Sequence, residues 1–161
     1  MAQKMWGREY FWMTTVYTTP EAISEEYKRT GQRYIRQADA EFEKGDFLQA
    51  SEKAWGAASE YVKSLAALRG LPHESHREIR IAVNYIVSET GWRQIRPLFA
   101  VAEGMHANFY EAWMPEEEMK DGIESVKALI VLLDDVPPPD EDTPTRPPRA
   151  RLFIRDRGDD I

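Results

Sequence analysis

The chain has 161 residues, enough for one domain with a real core. Its 42% hydrophobic and 30% charged composition excludes a disordered chain, and a formal net charge of −7 gives nucleic-acid phosphates no default attraction. The absence of cysteine excludes disulfides, thiol catalysis and thiolate metal sites, and it suits a reducing cytoplasm.

The segment from Met1 to Tyr17 crowds Trp6, Tyr10, Phe11, Trp12 and Tyr17 together without a helical period. Arg8 and Glu9 interrupt it and no small-residue cleavage site follows, so it does not read as a targeting peptide. No run approaches the roughly 20 apolar residues that a membrane helix requires, and a soluble, cytoplasmic chain is expected. Residues 1–18 are read as an N-terminal arm.

The first helix is expected from Thr19-Pro20, a cap followed by a residue suited to the first turn, to about Lys44. Its apolar stripe is Ile23, Tyr27, Tyr34, Ile35, Ala38 and Phe42, and Gly31 is expected to weaken or bend it. Gly45-Asp46 supplies a stop and a new cap. The second helix then runs from Phe47 to about Arg69. Phe47, Ala50, Ala54, Ala57, Ala58, Tyr61, Leu65 and Leu68 recur on one face, with Trp55 among small residues that let another helix approach.

Gly70-Leu71-Pro72 ends that helix, and Ser75 with Glu78 has the spacing of a capping box for a third. Ile79, Ala82, Val83, Ile86 and Val87 form its stripe up to Gly91. The fourth helix is expected to begin between Ile95 and Leu98, because Pro97 is tolerated only in a first turn. Leu98, Val101, Ala102, Met105, Phe109 and Ala112 line it until Met114-Pro115. Glu116 to Glu118 then favour the positive end of a last helix, which buries Met119, Ile123, Val126, Ile130 and Leu133.

Short connections make consecutive helices antiparallel neighbours. The expected fold is therefore all-α, an up-and-down antiparallel bundle of four to five helices over residues 19–135, with extended N- and C-terminal arms. Residues 136–161 form the second arm. Pro137-Pro138-Pro139, Pro144 and Pro147-Pro148 impose extended structure, and Arg149 to Arg155 is a basic, β-compatible run around Leu152-Phe153-Ile154. The two arms, Met1 to Tyr17 and Arg149 to Arg155, either stay disordered or dock on the bundle or on a protein partner.

Ala50-Ser51-Glu52-Lys53-Ala54-Trp55-Gly56-Ala57-Ala58, followed by Lys63 and Ala66, resembles the PaREP-type family of small helical proteins, grouped with the HEPN-like superfamily. Glu103-Gly104-Met105-His106-Ala107-Asn108-Phe109-Tyr110-Glu111 looks like the second block of such proteins. The resemblance covers about residues 38–134. It implies a HEPN-like bundle, a two-fold dimer, and a setting near nucleic-acid-linked defence or toxin–antitoxin systems, without implying a particular activity.

In active HEPN-like ribonucleases four to six residues intervene between an arginine and a histidine, the cation holding phosphate and the imidazole assisting attack by a 2′-hydroxyl. Arg69 and His76 meet that count, although Gly70-Leu71-Pro72 makes a turn between them. Glu103 and His106 have the spacing that puts a carboxylate and an imidazole on one helix face, as in di-iron bundles. No second such pair exists, so no metal or other cofactor is expected. Glu52 and Glu60 can face inward or remain solvated.

His106 otherwise reads as a ring at the edge of the core, hydrogen-bonded to a neighbouring helix. Asn108 and Glu111 can anchor a polar contact across a helix interface, and Lys53, Lys63, Arg77, Arg80 and Arg93 read as a solvated face. The expected function is a non-enzymatic interaction protein, a homodimer using Trp55, His106, Asn108, Tyr110 and Glu111. The alternatives are a metal-independent ribonuclease using Arg69 and His76, and a small metal- or ligand-binding bundle using Glu103 and His106.

Overall fold

Local chemistry sets each helix boundary. A computed structural model describes residues 19–140 and 142, and among them five helices follow in order: α1 (Pro20–Glu43), α2 (Phe47–Leu68), α3 (His76–Thr90), α4 (Ile95–Glu111) and α5 (Glu116–Asp134). The Thr19 hydroxyl accepts from the Ala22 N–H at 3.1 Å, just ahead of Pro20. Asp46 caps α2 by accepting from the Gln49 N–H at 3.2 Å, directly after Gly45 turns the chain at φ 82°. The capping box of Ser75 and Glu78 forms in full at the start of α3. Pro97 sits in the first turn of α4, as its missing N–H requires.

The fold is all-α, and α2 is its axis: it contacts each of the other four helices. Its buried face carries Ala50, Ala54, Ala57, Ala58 and Ala66 among larger residues, so neighbouring backbones come close. Of the stripe expected on α1 only Ala38 is buried, because α1 packs almost wholly against α2.

Gly31 does not bend α1, which continues unbroken to Glu43. A Cβ on Gly31 would lie 2.6 Å from Cδ2 of Tyr61, and one on Gly56 would lie 2.8 Å from Cδ2 of Tyr34. Each helix thus inserts a tyrosine ring where the other has dropped its side chain. Gly122 of α5 receives the Met105 sulfur of α4 in the same way, at 2.6 Å from a built Cβ.

Contacts between helices give their relative senses. Gly31 opposite Tyr61 and Tyr34 opposite Gly56 make α1 and α2 antiparallel. Arg80 with Glu103 and Asn84 with Arg96 do the same for α3 and α4, and Met105 with Gly122 and Asn108 with Met119 for α4 and α5. The expected antiparallel pairing does not extend to α2 and α3. Trp55 contacts His76 near their upstream ends and Arg69 bonds Glu89 near their downstream ends, so these two helices run in the same sense. The chain between Arg69 and Ser75 travels back along α2, with Leu71 buried and Pro72 favouring extended backbone. That return brings the first turn of α3 to Trp55.

The buried core continues just past α5, where Val136 is 6% exposed. No helix among the described residues is long and apolar enough to cross a membrane. The segments from Met1 to Tyr17 and from Arg149 to Arg155 lie outside the described residues.

Candidate binding cleft around Trp55 and His106

An open cleft of about 430 Å³ lies where α2, α3 and α4 meet, lined by Trp55, His76, Arg77, Arg80, Glu103 and His106. Trp55 is its floor, buried to 6% exposure. The ring of His106 lies over the indole with centroids 5.0 Å apart and planes 31° apart, while His76 meets the same indole edge-on at 5.1 Å. The two imidazoles contact each other edge-on at 4.8 Å. Tyr110, one turn beyond His106, stands edge-on to it at 5.2 Å.

Glu52 fixes the orientation of His106. Its carboxylate lies 2.8 Å from Nδ1, so a proton on Nδ1 is donated to Glu52 and Nε2 is left for other chemistry. Glu52 therefore turns toward His106 from α2, while Glu60, whose side chain is the more buried of the two, pairs with Lys63 at 2.8 Å. Glu103 is held by Arg80, whose Nε and Nη2 donate to one carboxylate oxygen at 3.0 and 2.6 Å. Glu103 and His106 are thus each engaged by a different partner. Among the described residues no group of three His, Asp or Glu side chains is placed to hold a metal ion.

Arg69 lies elsewhere. It is 1% exposed, donates through Nε and Nη2 to Glu89, and donates further to the carbonyls of Leu65 at 3.2 Å and Pro137 at 3.0 Å. Among the described residues no contact joins it to His76, which is exposed in the cleft. The return of the chain along α2 separates the two: Arg69 stays at the downstream end of α2, and His76 is carried to Trp55.

Asn108 is buried at the end of α4 and closes the turn that follows. Its Nδ2 donates to Ser51 at 2.9 Å, and its Oδ1 accepts from the N–H groups of Trp113 at 3.0 Å and Met114 at 2.8 Å. This is the polar contact between helices expected of Asn108, made with Ser51; Glu111 is exposed. The bonds Ser51–Asn108 and Glu52–His106 place the start of α2 beside the end of α4. Leu48, Tyr110 and Trp113 therefore share that end, at 38%, 71% and 50% exposure.

Arg77 and Arg80, one turn apart on α3, are exposed as a solvated face requires, and they also line the cleft. Their spacing from His76 puts all three within the first two turns of α3, but only the return of the chain aims that end at Trp55. Lys53 and Lys63 instead lie over the rings of Tyr34 and Tyr27. His73 is set apart from the cleft: Nδ1 lies 2.7 Å from the Leu71 carbonyl and Nε2 lies 3.2 Å from the Tyr27 hydroxyl.

These features define an all-α protein with an imidazole- and guanidinium-lined cleft on its central helix. The chain belongs to the archaeal PaREP1/PaREP8 family, whose model matches residues 26–130. The match begins earlier than the block resemblance and takes in most of α1. No curated protein matches the chain, and no solved structure does.

Proposed function

We propose that the chain is a non-enzymatic interaction protein of HEPN-like type that self-associates as a two-fold homodimer in the cytoplasm. One observation carries this reading. Tyr110 and Trp113, two of the three most exposed large hydrophobic side chains among the described residues, share one end of the α2–α4 pair with Leu48. Monomers rarely leave aromatic groups clustered at the surface, and such residues are enriched in the centres of interfaces. A patch on one end of one helix pair is suited to an isologous contact, in which the same residues meet across the axis.

Light scattering on the full chain tests the reading. Twice the chain mass is expected, falling to the chain mass in the double variant Tyr110→Ser, Trp113→Ser with an unchanged helical circular dichroism spectrum. A monomeric parent chain would defeat it.

The exposure of His76 favours a second reading, RNA cleavage without metal. Arg77 or Arg80 would then serve as the phosphate-binding cation, since the guanidinium of Arg69 is occupied by Glu89. Cleavage that persists with chelator and disappears in His76→Ala would establish it over the first.

A further inference from the structure

We propose that the cleft between α2, α3 and α4 binds a terminal phosphoryl group, on observations separate from those that carry the self-association above. In a chain whose formal net charge is −7, four of the six residues lining this cleft are arginine or histidine. They come from two helices, His76, Arg77 and Arg80 from α3 and His106 from α4, so the cluster exists only in the folded chain.

The donors are prepared for an anion with several oxygens. Glu103 occupies Nε and Nη2 of Arg80, which fixes the plane of the guanidinium and leaves Nη1 without a partner among the described residues. Arg77 is exposed and makes no ion pair among the described residues. Arg77 offers a planar fork and Arg80 its remaining Nη1 to phosphoryl oxygens, and such charge-assisted bonds are roughly twice as strong as neutral ones. A carboxylate offers two oxygens in one plane, whereas a phosphoryl group offers three that diverge, matching donors on two walls of a cleft.

The carboxylates set the conditions for binding. With both imidazoles neutral, Arg77 and Arg80 are balanced by Glu52 and Glu103, and an incoming dianion meets no net attraction. Protonation of His76 and His106 makes the cleft cationic. The two touching imidazolium rings then repel each other, and a dianion beside them relieves that repulsion. Proton uptake and anion binding therefore reinforce one another, as linkage requires. Tyr110 at the rim of the cleft does not alter the sign.

The three histidines make the test direct. The full chain is titrated with inorganic phosphate at constant ionic strength, sodium chloride replacing it in the control, while imidazole C–H resonances are followed by nuclear magnetic resonance. Saturable shifts of His76 and His106 are expected, with His73 unmoved. Arg77→Gln, a change at an exposed residue, is expected to weaken binding about tenfold. Sulfate, which carries no titrating proton over the working range, is expected to shift the same two rings.

Parallel titrations with a nucleoside monophosphate and with glycerol phosphate separate the two sources of a phosphoryl group. Tighter binding of either one upholds the site and assigns its source. Three outcomes would overturn the proposal: no saturable shift of His76 and His106, equal shifts with chloride, or unchanged affinity in both Arg77→Gln and Arg80→Gln.

Discussion

Asn108 shows how one side chain can hold a turn that the backbone alone disfavours. Ala112 adopts φ 51°, a left-handed conformation in which a Cβ is crowded. Two consecutive N–H groups beyond it point back to one amide oxygen, whose own amide is tied to Ser51. Asn108→Ala would leave those part-buried N–H groups and the buried Ser51 hydroxyl without this partner and is expected to destabilise the chain by about 1–3 kcal/mol in urea unfolding. Asn108→Asp keeps the acceptor and loses the donor, so it is expected to cost less than the alanine. Equal losses would place the effect in the contact with Ser51 instead of the turn.

At the scale of elements, the helix ends were legible because their determinants are local. Thr19-Pro20, Gly45-Asp46, Ser75 with Glu78, Gly91 and Pro115 each act on backbone within a few residues. The role of Gly31 was not legible, since a gap for a tyrosine from another helix has the same local signature as a weak helix position. Gly31→Ala gains roughly 1 kcal/mol of helix propensity, yet it drives a methyl group into the Tyr61 ring. A net loss of about 1–3 kcal/mol is expected in chemical denaturation. Gly104, which has open space, provides the control: Gly104→Ala is expected to stabilise.

The cap of α3 predicts a pH dependence. Backbone N–H groups of Ser75 and Glu74 donate to Glu78 and hold its carboxyl below the ordinary glutamate range, with the Ser75 hydroxyl adding to the effect against slight desolvation. Because the folded value is the lower one, this contribution is present above the unfolded glutamate pKa, about 4.3. It is lost as pH falls through the depressed folded value. Denaturant midpoints measured from neutral to acid pH are expected to fall less steeply in Glu78→Gln than in the parent chain.

At the scale of the whole molecule, Arg69 ties three parts of the chain together: its own helix α2, Glu89 on α3, and the Pro137 carbonyl beyond α5. Truncating one partner of a buried pair typically costs about 3–5 kcal/mol. Arg69→Ala is expected at the low end by thermal or urea unfolding, since Glu89 is 22% exposed and regains some hydration. Arg69→Met, which fills the volume, is expected to cost less; equal costs would mean that the lost hydrogen bonds outweigh the packing.

Trp55, His76, His106 and Glu103 could each be singled out in the sequence, but not their convergence. Arg77 and Arg80 are exposed, as a solvated face implies, and only their place on the wall of the cleft was not legible, for the same reason. Both depend on the sense of α3 relative to α2, which seven residues of connection decide and no periodicity records.

That connection also acts as a length gauge. With Arg69 bonded to Glu89 and His76 seated on Trp55, both ends of the span from Arg69 to Ser75 are pinned. Each residue of extended chain reaches at most about 3.3–3.6 Å. Deleting one residue between them would put the two anchors in competition, so that either the ion pair or the histidine must let go. Slack added by an inserted glycine would relax that coupling, making the distance between the two ends of α3 and their moorings adjustable by chain length alone.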